Sequence, residues 1–245
     1  MKSRMLPGED WSLDVDLRYL PVARFLQRNG VGTTVLEVGS GSTGITPYNG
    51  GAVVGCDVAF PGDVAPRLLP VMAKGHLPFR DRSFDAVISL DTLEHVPREF
   101  RQLFVDEMFR IARTYVLVGF PEGDRAERHD AMMEAYFIRH NTEVHPYFVE
   151  HREYRIPRQE EVVQYFKNAG DKAGRGYLVR RSKNVNILLR SIFMRTVWNK
   201  NRSLQRIYTM LTALSRWHWL FHHGACYRII YFITINPPVD GNKPL

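Results

Sequence analysis

Short apolar runs alternate along the chain with stripes of apolar residues at helical spacing. TTVLEV (33–38), AVVGCDV (52–58), FDAVISL (84–90) and TYVLVGF (114–120) are apolar at successive positions, which predicts strands covered on both faces. Around them, Asp16 to Asn29 predicts a helix with Leu17, Leu20, Val22, Phe25 and Leu26 on its apolar side and Gly30 after it. Pro21 limits where that helix can begin. Residues 97–112 predict a helix opened by Pro97, and 157–170 another closed by Gly170. GYLVRR (176–181) and YRIIYFITI (227–235) read as late strands. Strands alternating with helices in this way predict an α/β fold built on a mostly parallel sheet. Residues 123–152 are polar, His-rich and aperiodic, so a lid or substrate loop is expected over 123–157.

The two late strands are separated by far more chain than a hairpin needs. Within that separation Leu204, Ile207, Tyr208, Leu211, Leu214, His218 and Phe221 recur at helical spacing. Arg202, Arg206 and Arg216 are interspersed, and Trp217, Trp219 and Phe221 cluster at the end. One or two basic amphipathic helices are therefore expected as an insertion at 184–223. The whole chain, 1–245, is expected to form a single domain carrying that insertion.

Charge sharpens this division. The formal net charge is +7, yet Lys172 to Val239 holds 12 of the 33 basic residues and none of the 26 acidic ones. The positive field belongs to the C-terminal quarter, and it implies an anionic partner. An anionic membrane surface fits arginines beside interfacial tryptophans. A nucleic acid fits less well, because the tryptophans would need exposed bases to stack on. Packing against the domain, or against a second copy in a homodimer, is the scaffold alternative. Two cysteines, Cys56 and Cys226, suggest no disulfide framework, and Cys56 reads as a buried thiol. The opening residues MKSRMLPGEDWSLDVD lack the apolar core of a signal peptide, and no run of 18 uncharged apolar residues occurs. A cytoplasmic or membrane-peripheral location is expected.

The chemistry centres on LEVGSGSTGI (36–45), a strand running into a glycine-rich turn. Such a turn lets a cofactor approach the backbone closely. A phosphate loop is excluded, because Gly44 is followed by Ile45 and not by a lysine. A dinucleotide site is harder to dismiss, since Asp57 lies about 20 residues after Glu37, where it could meet ribose hydroxyls. Against it stands Glu37 itself, whose carboxylate would repel a pyrophosphate but suits a sulfonium and its amino-acid end.

With these residues the sequence resembles the class I S-adenosylmethionine-dependent methyltransferases over roughly residues 30 to 121. Glu37-Val38-Gly39-Ser40-Gly41 resembles their first motif, and Asp57 the acid that holds the ribose. Leu77-Pro78-Phe79 through Ser83-Phe84-Asp85 is similar to the family's LPF…SFD run. Asp91-Thr92-Leu93-Glu94-His95-Val96 is similar to its LEHV signature. The resemblance implies a doubly wound, mostly parallel, seven-stranded Rossmann-like sheet with S-adenosyl-L-methionine as cofactor. The cofactor residues it implies are Glu37, Gly39, Ser40, Gly41, Gly44, Asp57, Val58, Gly75, Leu77 and Asp91. Two departures stand out. Thr43 occupies the place of the third glycine, with Gly44 after it. The acid often found before LPF is replaced by Ala73-Lys74-Gly75-His76, so adenine recognition is expected to rest on backbone groups and Leu77.

The implied reaction displaces a methyl group from sulfur onto an acceptor, and an oxygen acceptor calls for a base. Candidate bases are His145 and His151, with Glu150 and Tyr154 as orienting groups, and His95, four residues after Asp91. No tight HxxxH or HExxH arrangement appears, so no metal is expected. Arg180, Arg181 and Lys183 end a late strand where they could bind an acceptor phosphate. The basic insertion points to a lipid-linked glycan or glycolipid as acceptor. Alternatives are a soluble sugar or natural product, RNA or protein, and a non-catalytic cofactor-binding partner. The segment after the fourth strand reads SLDTLEHV, which lacks the Asn/Asp-Pro-Pro-Tyr/Phe of RNA base N-methylation.

Overall fold

The computed structural model describes residues 13–31, 34–60, 62–140, 146–197, 203, 206 and 215–236. Seven strands form one sheet: β1 (Val35–Val38), β2 (Val53–Asp57), β3 (Leu68–Met72), β4 (Phe84–Leu90), β5 (Ala112–Pro121), β6 (Tyr177–Asn186) and β7 (Cys226–Ile235). Their spatial order is β3-β2-β1-β4-β5-β7-β6. β1 to β5 run parallel to one another, and β7 lies antiparallel between β5 and β6. The seven-stranded, doubly wound sheet implied by the resemblance is therefore present.

Strand alternation divides the core into two layers. Leu36, Val38, Val87, Val116 and Val118 face Val105, Met108 and Phe109 of α2 (Arg101–Ile111) and Val162 and Phe166 of α5 (Gln159–Ala173). Val35, Val53, Ala86, Ile88 and Leu117 face Tyr19, Val22 and Leu26 of α1 (Leu13–Arg28) on the other side. The α5 helix ends at Gly174, in the left-handed conformation at φ 59°, and not at Gly170. Gly170 instead lies inside α5, where a Cβ would collide with the Tyr177 ring.

Three further departures from the sequence pattern have physical causes. Helix α1 begins at Leu13 and passes straight through Pro21. Proline has no N–H to offer the carbonyl four residues earlier, and that carbonyl, Leu17 O, accepts a hydrogen bond from the buried Asn184 side chain at 2.8 Å. The β3 strand was not legible because it contains Pro70 and exposes Leu69 and Met72. A proline is tolerated there because β3 is an edge strand paired only with β2. The expected lid loop is instead largely helical: α3 (Gly123–His140) and α4 (Pro146–Tyr154). The buried face of α3 is Ala126, His129, Asp130, Met133 and Phe137, a helical stripe disguised by its two polar members.

The expected insertion starts later than 184, because β6 continues to Asn186. It opens with α6 (Ile187–Val197), is helical at Ser203 and Arg206, and closes with a 3₁₀ segment over Ser215–Phe221. The expected stripe of Leu204, Ile207, Tyr208, Leu211 and Leu214, together with Arg202, lies outside the described residues. The rings of Phe193 in α6 and Phe221 pack tilted at 59°, with centroids 5.7 Å apart, which joins the two ends of the insertion.

Candidate active site

The glycine turn is shaped by groups packed against it. Gly39 follows β1 at φ 77°, donates to Cys56 O at 2.7 Å, and lies so close to Thr92 that any Cβ would overlap that side chain. Gly44, at φ 52°, is pressed in the same way against the Glu37 carboxylate. Gly41, at φ 54°, has open space where a side chain would stand. Two glycines thus allow tight packing, and a third keeps a surface clear for a ligand.

Glu37 is fully buried and engaged at both oxygens. The Tyr19 hydroxyl donates to one at 2.7 Å, and the Ile45 amide donates to the other at 2.6 Å. Burial pushes its carboxyl up to about 7, against the pull of these donors. The carboxylate therefore braces the turn from beneath, and a ligand cation above the turn would favour its charged form. Ser40 is also buried and donates to Gly41 O. Asp57, at the end of β2, accepts from the Gly41 amide at 2.8 Å and the Val58 amide at 2.7 Å. It remains half-exposed, with lone pairs left for ribose hydroxyls. Val58 next to it is 67% exposed, an apolar surface beside the same cleft.

Two expected cofactor contacts are engaged elsewhere. The Leu77 amide donates to Glu107 at 2.8 Å and its carbonyl accepts from Arg110, so the amide is committed within the protein and the carbonyl keeps one lone pair. Gly75, at φ 78°, keeps open space beside it. The Asp91 carboxylate turns inward to Arg228, whose Nε donates at 2.5 Å, and to Arg18 at 3.2 Å. Arg228 also reaches Asp14 at 3.1 Å and Asn184 at 2.8 Å. This buried network ties α1, β4, β6 and β7 together behind the site. Asp91 therefore does not pair with His95.

The candidate bases separate. His145 lies outside the described residues, as does its neighbour Glu143. His95, in the 3₁₀ turn Leu93–His95 after β4, and His151, in α4, meet with ring centroids 5.0 Å apart. Glu150 accepts from His95 Nδ1 at 2.5 Å, and Asp130 accepts from His151 Nδ1 at 2.8 Å. Burial, and then the His151 charge, hold His95 below its ordinary value. Glu150 is thus an orienting group, whereas Tyr154 contributes a backbone carbonyl that accepts from Arg101. Arg180, Arg181 and Lys183 are exposed on β6, the strand at the sheet's other edge. Sequence reasoning missed Tyr19, Asp130 and Arg228, none of which lies in a motif, and gave Thr92 no role although it stands in the segment Asp91–Val96.

Residues 36–116 match the model of a methyltransferase domain family. The match runs from β1 into β5 and takes in the glycine turn and the ribose acid of the 3-2-1-4-5-7-6 sheet. The chain has the class I methyltransferase fold, with a methyltransferase domain over residues 36–116. No curated protein matches this methyltransferase. Among solved structures, its fold is similar to that of magnesium protoporphyrin IX methyltransferase from Synechocystis PCC 6803. That match has 11% identity and a TM-score of 0.53, and covers 92% of this chain and 84% of that one. It is also similar to phosphoethanolamine N-methyltransferase 2 of Haemonchus contortus, at 13% identity and TM-score 0.52, covering 89% of this chain and 53% of that one. A chain from the Haloferax volcanii complex of a methyltransferase with its Trm112 activator matches at 15% identity and TM-score 0.50, covering 91% of both. At these identities the likeness is one of fold.

The cofactor of the methyltransferase is S-adenosyl-L-methionine, and its residues fit that molecule. Gly41 leaves the room, Asp57 and Val58 flank it, and Glu37 sits beneath as the anionic counterpart of a cation. When bound, the cofactor supplies a methyl group already activated by positive sulfur. The chain's task is then to align an acceptor and exclude water.

Proposed function

We propose that this methyltransferase methylates an oxygen of an amphiphilic acceptor, a lipid-linked glycan or glycolipid, from a peripheral position on an anionic membrane surface. It would belong to the subgroup marked by the LPF…SFD…LEHV signature, whose segments are Leu77–Asp85 and Leu93–Val96. The observation that carries the reading is the outer face of the insertion. Leu188 (72% exposed) and Ile192 are four apart on α6, and Trp217, Trp219 and Leu220 are exposed on the segment that packs against it. They stand in a stretch of chain without a single acid, which also carries the exposed Lys183 and Arg195. Apolar and aromatic side chains flanked by unopposed cations suit a headgroup layer. No described helix is long and apolar enough to cross a membrane.

The choice of oxygen rests on the groups gathered after β4. Glu94, His95, Glu150 and His151 collect polar functions where a hydroxyl acceptor has a proton to lose. Incubation with methyl-labelled S-adenosylmethionine and a membrane-containing cell extract, followed by two-phase partition, tests the reading. Label is expected in the organic phase. The wild type is expected to co-sediment with anionic liposomes, and replacement of Arg202, Arg206 and Arg216 to release it. Label confined to small aqueous molecules would overturn the amphiphile reading, and label in macromolecules would point to RNA or protein.

A further inference from the structure

Glu94, His95 and His151 each place a potential ligand atom within 4.8 Å of the other two. They come from two segments that sequence spacing does not connect, the 3₁₀ turn after β4 and helix α4. Two of the three are deeply buried: Glu94 at 1% exposure and His151 at 6%. Both carry an orphan, because Glu94 Oε2 and His151 Nε2 are buried without a hydrogen-bond partner among the described residues. Buried polar atoms ordinarily find a partner, so two orphans within one cluster call for an explanation.

We propose that Glu94, His95 and His151 bind a divalent transition-metal ion. Two imidazoles and a carboxylate form a donor set suited to zinc, manganese or iron(II), and three protein ligands leave positions open for water or an acceptor oxygen. The surroundings are those of a metal site. Each histidine already directs its Nδ1 to a carboxylate, His95 to Glu150 and His151 to Asp130, which fixes the tautomer and presents Nε2 to the ion. Asp130 is held in turn by the Tyr227 hydroxyl at 2.9 Å. With the ion bound, the two imidazoles act as ligands and not as bases. The site stands independently of which acceptor is used.

Untagged protein stripped with a chelator and titrated with cobalt(II) tests the site. One equivalent is expected to bind, with visible d–d absorption, and zinc is expected to displace it. The thermal midpoint should rise with zinc. Glu94→Gln and His151→Asn should lose the absorption, and the milder Asp130→Asn should weaken cobalt binding about 10–100-fold. Circular dichroism and S-adenosylhomocysteine binding report whether each variant is folded. Absence of cobalt absorption and of any zinc-induced shift in the wild type would overturn the proposal. Equal cobalt affinity in folded Glu94→Gln or His151→Asn protein would overturn it as well.

Discussion

Replacing Arg228 by methionine probes the network behind the site. Arg228 is 1% exposed and holds four hydrogen bonds: two to the Asp91 carboxylate, one to Asp14 and one to Asn184. Methionine keeps much of the length and removes the charge. Removing one partner of a buried pair costs about 3–5 kcal/mol, because the remaining charge keeps its desolvation penalty. Here the value should fall at the lower end. Asp91 and Asp14 retain 14% and 29% side-chain exposure, and Arg18 remains 3.2 Å from Asp91. A loss of about 3 kcal/mol in a chain of this size lowers the melting temperature by roughly 6–12 °C. Thermal melts followed by circular dichroism measure it, with urea titration as the second probe. The double variant Asp91→Asn/Arg228→Met should lose less than the sum of its singles, since the first change removes the charge the second would strand. A midpoint within 2 °C of wild type for Arg228→Met, or strict additivity in the double variant, would refute the assignment of this network as a stabilising tie.

Gly39→Ala should be severe, because φ 77° strains an L-residue and the new methyl meets Thr92. S-adenosylhomocysteine affinity measured by calorimetry should fall more than tenfold, and wild-type affinity would mean that the turn tolerates displacement. Glu37 links stability to pH. Its folded value of about 7 lies above the ordinary 4.5, so the folded state holds its proton more tightly than the unfolded chain does. Its contribution is complete below about 4.5, declines as pH rises toward 7, and is flat above that, a change of about 3 kcal/mol. Denaturation midpoints between pH 5 and 8 should show this decline in the wild type and lose it in Glu37→Gln. Parallel profiles would place the titration elsewhere.

Most of the sheet and the whole glycine turn could be read from the chain. A buried parallel strand needs an unbroken apolar run, and a cofactor turn needs glycines at particular places, and both requirements are local. LEVGSG and the acid at Asp57 therefore announced the cofactor end of the site. The β3 strand, α3 and the passage of α1 through Pro21 did not, because each depends on a remote partner. An edge position excuses Pro70, His151 and Tyr227 make Asp130 welcome on a buried helix face, and Asn184 supplies what Pro21 withholds from Leu17.

The same division runs through the side chains. The sequence by itself determined which residues were candidates for chemistry: Glu37, Asp57, Asp91, His95 and His151 were singled out, and Glu94 stood in the LEHV signature. Only the tertiary structure decided what each one faces. It turned Asp91 toward Arg228, tied the Leu77 backbone to Glu107 and Arg110, and brought His151 to Glu94 and His95. Backbone conformation and burial pattern follow from neighbours in the chain. The partner of a carboxylate or an imidazole follows from folding, which brings charges from distant strands and helices into one place without water to separate them.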